Sequence, residues 1–91
     1  MYKGCYPDSV GQRTLAGPYT WSYTMTQATC ASFCSGYAYF GTEYSTECYC
    51  SNQLDNPTTP VADSECNMAC SGDANQKCGA GGRLTLYGPA A

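Results

Sequence analysis

The chain has 91 residues, enough for one small domain, and its formal charge of −3 comes from four basic and seven acidic residues. So few basic residues exclude the kind of basic patch that binds nucleic acid or an anionic membrane surface. Only twelve Val, Leu, Met, Phe and Trp side chains and no Ile are present, so a hydrophobic core alone cannot offset the conformational entropy lost on folding.

Eight cysteines compensate for the small core. An even number at this density is typical of secreted domains held by disulfides, and four bridges at about 2–4 kcal/mol each would replace much of the missing stabilisation. Structural zinc is the alternative, but the chain has no His and its cysteine pairs are spaced C-x₃-C, C-x-C and C-x₃-C. We therefore expect four disulfides, no metal, no cofactor, and an extracellular or cell-surface location.

No apolar run in the chain reaches ten residues. The sequence therefore predicts no transmembrane helix, signal peptide or lipid anchor within these residues, and no direct insertion into a membrane. We expect that Met1 is an expression start. The single domain, residues 1–91 with a core of about 4–87, is expected to be a monomeric module taken from a longer extracellular protein.

The predicted elements begin with a strand over residues 2–6, followed by a turn-rich stretch from residue 7 to 17. The strongest helix signal covers residues 26–34, with Thr26 capping the first turn and Gly36 supplying a left-handed residue after the last. A stripe at i, i+3, i+4 and i+7 should face a sheet. It consists of Cys30, Phe33, Cys34 and Tyr37.

Two aromatic-rich runs, residues 37–44 and 47–50, predict a β-hairpin that turns at Ser45-Thr46. An irregular surface loop is expected from residue 53 to 61, because it contains Asn-Pro and Thr-Pro steps. Residues 83–87 alternate in polarity after a glycine-rich bend and predict a final strand.

The segment Cys30-x₃-Cys34-Ser35-Gly36 recurs as Cys66-x₃-Cys70-Ser71-Gly72. We interpret the two copies as helix ends with the same capping chemistry, not as a tandem repeat. A short helical turn is accordingly expected over residues 64–70, capped by Asp63 or Ser64.

The cysteine spacings restrict how the helix and the hairpin are joined. Cys30 and Cys34 are about 6 Å apart along a helix axis, and Cys48 and Cys50 are about 6.6 Å apart on one face of a strand. Two disulfides could therefore join the elements, as Cys30–Cys48 with Cys34–Cys50 or in the crossed arrangement, and spacing does not distinguish the two. Cys70 and Cys78 would close a small loop, which leaves Cys5 for Cys66.

The sequence gives little support for a glycosidase, a nucleophilic or a redox active site. Glu43 and Glu47 could be the acid and base of a glycosidase, but they flank a tight hairpin in a chain too small to build a cleft. The absence of His leaves a serine or cysteine nucleophile without a base. Cys48-Tyr49-Cys50 also lacks the C-x-x-C spacing of a redox dithiol. We expect that the domain is not an enzyme.

Tyrosine dominates the aromatic residues, with nine Tyr against one Trp and two Phe. Such rings suit surfaces that are apolar on one side and wet on the other, as in the stacking of a sugar ring on an aromatic face. If residues 18–23 are extended, Tyr19, Trp21 and Tyr23 project to one side and are candidate ligand-binding residues.

A second candidate surface combines Tyr44 and Asn52 with Asn67. For Asn67, an equal alternative is that its side chain ties down the loop after Cys66. Several other tyrosines, namely Tyr6, Tyr37 and Tyr87, are expected only to fill space around the disulfides.

The cysteine frame resembles the WSC domain, a module of fungal cell-wall stress sensors and of several fungal extracellular enzymes. The resemblance runs from residue 4 to 87, nearly the whole chain. It rests on Met25-Thr26, Cys30-x₃-Cys34, Glu43-Tyr44-x₂-Glu47-Cys48-Tyr49-Cys50-Ser51-Asn52, Cys66-Asn67-Met68-x-Cys70-x-Gly72, Cys78-Gly79 and Arg83-Leu84-x-Leu86-Tyr87. Two departures are minor: Ser51 stands where Gly is usual, and Ala80-Gly81-Gly82 replaces a more common turn.

The resemblance implies an α+β fold similar to PAN/apple domains, with one main helix packed on a twisted antiparallel sheet. It also implies a disulfide pairing: Cys5–Cys66, Cys30–Cys48, Cys34–Cys50 and Cys70–Cys78. The implied function is that of a non-catalytic module that binds cell-wall polysaccharide, with β-glucan, chitin or xylan as ligand. The alternative is a disulfide-locked structural or mechanosensing module that contacts proteins at the cell surface.

Overall fold

The computed structural model describes residues 1–89, which form an α+β domain, as predicted. The helices are α1 (Gln27–Phe33) and a 3₁₀ turn, η1 (Asp63–Glu65). The strands are β1 (Tyr2–Pro7), β2 (Tyr19–Trp21), β3 (Tyr39–Glu43), β4 (Glu47–Ser51), β5 (Ala69–Cys70), β6 (Asp73–Lys77) and β7 (Arg83–Tyr87). An antiparallel sheet has the order β1-β7-β3-β4-β2, and β5 pairs with β6 in a separate hairpin. Within residues 1–89, no helix is long and apolar enough to cross a bilayer.

The first and last strands are neighbours in the sheet. β1 pairs with β7, and beyond that pairing the backbone N–H of Gly88 donates to the Met1 carbonyl at 2.9 Å. The amino group of Met1 donates in return to the Gly88 carbonyl at 2.8 Å. Both ends of the described chain therefore lie at the β1 edge, while β2 forms the opposite edge.

All four disulfides follow the pairing that the family resemblance implies. Cys30–Cys48 and Cys34–Cys50 join α1 to β4 in the uncrossed arrangement, and the other two pairs are Cys5–Cys66 and Cys70–Cys78. Because side chains alternate along a strand, α1 covers the face of β4 that carries its two cysteines. Glu47, Tyr49 and Ser51 project from the other face.

The core has two layers, one on each face of the sheet. On the helix face, six half-cystines pack with Met25 and Phe40. On the other face, Leu84 and Leu86 pack with Leu15 and Tyr49. The second layer is small, and it includes a residue of the 7–17 stretch that leads into β2. That stretch is thus anchored to the sheet.

The helix has the predicted caps but not the predicted buried face. Oγ1 of Thr26 accepts the Thr29 N–H at 3.0 Å, and Gly36 has φ 92°. Cys30 and Cys34 are buried, whereas Phe33 and Tyr37 are each 42% exposed, so the prediction is wrong for these two. The two disulfides set the rotation of this seven-residue helix, which leaves Phe33 on its flank, and Tyr37 follows the chain reversal at Gly36.

The prediction of a second helical turn, over residues 64–70, is also wrong beyond its first residues. Only residues 63–65 form a 3₁₀ turn, and residues 69–70 are a strand. The backbone of Met68 pairs with the chain that follows β6: its N–H donates to Gly79 and its carbonyl accepts the N–H of Cys78. Helix formation there would break both bonds. The recurrence at Cys66–Gly72 therefore does not mark a second helix end.

Three polar side chains hold the start of the 7–17 stretch against the sheet. Nη1 of Arg13 lies 2.8 Å from Oδ2 of Asp8 and 3.2 Å from Oε2 of Glu43. Glu43 is only 4% exposed. Burial and the neighbouring Asp8 raise the pKa of Glu43 to about 9, so it is protonated at neutral pH. Burial opposes ionisation of Asp8 too, but hydrogen bonds from Glu43, the Thr14 N–H and Arg13 outweigh it and lower the pKa of Asp8.

Gly79 is expected to tolerate no side chain. It has φ 64°, and a Cβ would lie 2.7 Å from the Thr42 carbonyl oxygen and overlap that of Arg83. Gly79→Ala should lower the free energy of unfolding by about 2 kcal/mol or more, measured by urea denaturation with the disulfides intact. The matched control is Gly11→Ala, where no atom lies within 4 Å. Equal stability of the two variants would contradict this assignment.

The protonated state of Glu43 predicts a pH dependence of stability. The folded state keeps a proton that the unfolded chain releases above its ordinary pKa of 4.5, so stability should fall as pH rises from about 4.5 towards 9. Glu43→Gln removes this titration. The decrease in unfolding free energy between about pH 5 and 8 should shrink by about 1 kcal/mol for each pH unit, because the folded state holds one proton more than the unfolded chain in this interval. Glu65→Gln, at an exposed carboxylate, is the control, and parallel curves for wild type and Glu43→Gln would refute the prediction.

Candidate functional site

Four of the six candidate ligand-binding residues lie together at the β2 edge of the sheet. They line a shallow depression of about 250 Å³ with Thr46 and Glu47. We call these six residues the aromatic patch: Tyr19, Trp21, Tyr23, Tyr44, Thr46 and Glu47. The four aromatic side chains are between 49% and 75% exposed. So much exposed ring surface in a chain with so few apolar residues is available for contact with another molecule.

Strand β2 presents two of the rings. Tyr19 lies opposite Tyr49 of β4 and Trp21 lies opposite Glu47, so both rings are on the face away from α1. Tyr23 follows the end of the strand, in a turn. Its ring meets the indole of Trp21 at 5.2 Å between centroids and 73° between planes. The rings of the patch therefore do not share one plane.

Tyr44 is brought to the patch by a strained turn. The β3–β4 hairpin turns over three residues, Tyr44 to Thr46, instead of the predicted two, and φ is 52° at Tyr44 and 70° at Ser45. Positive φ is costly for residues other than glycine. The turn is held from outside, since the N–H of Ser45 donates to the Cys78 carbonyl at 2.9 Å and its hydroxyl donates to the Ala69 carbonyl at 2.7 Å.

A layer beneath the patch fixes its floor. Tyr49 is 6% exposed, and its ring centroid is 5.0 Å from that of Tyr19. The guanidinium carbon of Arg13 lies 4.7 Å from the centroid of the Tyr49 ring. The Tyr49 hydroxyl donates to Oε1 of Glu47 at 2.9 Å. Burial and this carboxylate raise the pKa of Tyr49 well above its usual range, so the hydroxyl stays a donor and orients Glu47.

The two glutamates of the hairpin have different surroundings. Glu43 is buried beside Asp8 and Arg13, whereas Glu47 is partly exposed and lines the patch. Their residues are direct partners across β3 and β4, but only Glu47 can reach a bound ligand. This arrangement lacks the two accessible carboxyl groups that a glycosidase places on either side of a sugar. The described part of the patch offers ring faces, one carboxylate and hydroxyl groups.

The two candidate asparagines do not line the patch. Asn52 lies at the other end of the hairpin from Tyr44, where its Oδ1 accepts the Ala38 N–H at 3.1 Å. Asn67 is exposed between η1 and β5, and its side chain makes no hydrogen bond within residues 1–89. Asn52 has a structural contact, and neither asparagine lines the depression that Tyr44 lines.

Sequence reasoning did not select Thr46 and Glu47 as ligand-binding residues. The sequence indicates Glu47 only as half of a catalytic pair and as part of the family motif. Its place in the patch depends on the pairing of β2 with β4, a contact between segments 26 residues apart at Trp21 and Glu47. The alternation of Glu47 with two cysteines was the available signal, because it turns the carboxylate away from the helix.

A sulfur cluster offers no metal site. The Sγ atoms of Cys30, Cys34 and Cys48 lie within 4.8 Å of one another. All three belong to the two disulfides that join α1 to β4, so none supplies a thiolate ligand.

Comparison with known proteins places the chain in one family. The family model described as the WSC domain matches residues 2–80. A WSC domain-containing protein of Arthroderma benhamiae is 43% identical over 86 residues, which cover 94% of this chain and 12% of that protein. Xylosyltransferase oxt of Drosophila melanogaster is 37% identical over 92% of this chain and 10% of its own length. For Kremen protein 2 of Mus musculus the identity is 35%, over 94% of this chain and 19% of its own length.

The chain thus spans less than a fifth of each of these three relatives. The profile covers the strands and helices from β1 to the bend before β7, together with all eight cysteines. The family match, the disulfide pairing and the fold agree, so the chain belongs to the WSC domain family.

Proposed function

We propose that this WSC domain is a non-catalytic carbohydrate-binding module that holds a cell-wall polysaccharide on the aromatic patch. β-Glucan, chitin and xylan are the candidate ligands. The observation that carries the proposal is the exposure of Tyr19, Trp21, Tyr23 and Tyr44 around one depression above the buried ring of Tyr49.

Ring stacking explains why these residue types suit a sugar. The C–H face of a pyranose packs against an aromatic ring, while its hydroxyl groups seek polar partners at the margin. Tyr19 and Trp21 are two positions apart on β2, about 6.6 Å along the strand, so two rings can contact a chain at successive places. Thr46 and Glu47 supply acceptors beside them.

Preorganisation favours binding by this patch. The rings of Trp21 and Tyr23 pack on each other, and the ring of Tyr19 packs on buried Tyr49, so little side-chain freedom remains to be lost. The patch is open and shallow, so we expect weak binding by one domain. Within a longer protein that carries further binding sites, repeated contacts would raise the effective affinity.

The proposed site of action is outside the cell or at its surface. All eight cysteines are paired, and such a set of disulfides persists in oxidising compartments. A domain with few buried aliphatic side chains depends on those bonds, so a reducing compartment would remove much of its stability.

A second candidate function uses the same surface for protein contact. Exposed aromatic rings also favour association between copies or with another surface protein, as in a structural or mechanosensing module. Light scattering of the purified domain distinguishes this function, since Trp21→Ala would then reduce the mass of the species in solution.

Binding to insoluble polysaccharide tests the proposed function. Purified domain should be depleted from solution by at least one of β-glucan, chitin and xylan. Trp21→Ala and Tyr44→Ser should each weaken binding about fivefold or more, corresponding to about 1 kcal/mol of lost ring contact. Tyr37→Ser is the matched control, because Tyr37 is similarly exposed but lies just before β3, away from the patch.

Retention of the domain by no wall polymer would overturn this function. Equal binding by the wild type, both patch variants and the control would likewise show that the patch is not the contact surface.

A further inference from the structure

Glu47 is the one charged side chain among the six residues of the patch. It lies directly across from Trp21 in the β2–β4 register, so its carboxylate is beside the indole. Oε1 accepts the hydroxyl of Tyr49, while Oε2 accepts no hydrogen bond from residues 1–89. The carboxylate is therefore oriented by the protein and retains one oxygen for a ligand.

Neighbouring charges do not neutralise Glu47. Its cross-strand partner Glu43 is protonated at neutral pH, as described above. Arg13 contacts the ring of Tyr49, but its guanidinium is paired with Asp8, which carries the opposite charge. These neighbours sum to nearly zero charge, so Glu47 gives the patch a net negative charge.

The remaining cations do not line the patch. Lys3 lies on β1, and Lys77 lines a groove with Tyr2 and Tyr87 of the β1–β7 edge. Arg83 pairs with Glu65. Among residues 1–89, no Lys or Arg lines the patch, so an acidic sugar would meet an unpaired carboxylate there and find no counter-charge.

A positively charged sugar would satisfy both features of the patch. Aromatic faces attract cations, and a carboxylate beside them adds a charge-assisted hydrogen bond. We propose that the patch prefers β-linked glucosamine units, whose C2 ammonium group binds Glu47 while the ring stacks on Trp21. This preference rests on the proposed function and adds the charge class of its ligand.

Three β-1,4-linked hexasaccharides that differ only at C2 test the preference: those of glucosamine, N-acetylglucosamine and glucose. At a pH where the amine is protonated and at low salt, the glucosamine hexamer should bind about tenfold more tightly than the other two in calorimetric titration. Added salt should reduce this ratio, because exposed charges are screened. Glu47→Gln keeps an acceptor for Tyr49 and should bring the three affinities within about twofold.

Two controls separate charge at the patch from charge in general. Glu65→Gln changes the net charge equally at an exposed site outside the patch and should keep the preference. Trp21→Ala should weaken binding of all three hexamers. If Glu47→Gln does not fold, the wild-type domain alone tests the proposal. A ratio of affinities for the glucosamine hexamer and the other two that does not change with salt would contradict it.

The outcomes distinguish the two proposals. Equal wild-type affinity for the three hexamers, with weaker binding by Trp21→Ala, would overturn the preference and leave the proposed function intact. Loss of the preference in Glu65→Gln would also overturn it. Binding of insoluble polymer but of none of the hexamers would also overturn the preference alone. Binding of neither the hexamers nor any insoluble polymer would overturn the proposed function itself.

Discussion

The two disulfides between α1 and β4 are the constraint on which the rest of the structure depends. Cys30–Cys48 and Cys34–Cys50 assign one face of β4 to the helix, so the alternate residues must occupy the other face. Glu47 and Tyr49 are thereby directed to the side where β2 carries Tyr19 and Trp21. A chain with so few aliphatic residues cannot hold a helix on a sheet by burial alone, and the covalent bonds leave its aromatic rings available for the surface.

The patch and the buried polar residues beneath it act as one unit. Arg13 contacts Tyr49 and binds both Asp8 and Glu43, which ties the 7–17 stretch to the strands that support the patch. A buried carboxyl group that keeps its proton avoids placing a second negative charge directly opposite Glu47. The domain thus separates a carboxylate used for structure from one available to a ligand.

The parts of the structure that short-range spacing determines were predictable from the sequence. The helix cap at Thr26 follows from local chemistry, and the two possible pairings of helix with hairpin follow from spacing, with the family resemblance selecting one. The exposure of Phe33 and the absence of a second helix near Met68 depend on distant partners, which override local propensity. The same holds for the site: the alternation of Tyr19 with Trp21 is local, but the approach of Glu47 requires the register between strands far apart in the chain.

Pairing of β1 with β7 has an architectural consequence. Since Met1 and Gly88 are hydrogen-bonded neighbours, the chain enters and leaves the described part of the domain at the same edge of the sheet, across three strands from β2. The domain can therefore sit within a surface loop of a host protein, or repeat along a stalk, without forcing its neighbours apart. In either arrangement the attachment edge and the aromatic edge are opposite, so the host protein does not cover the exposed rings.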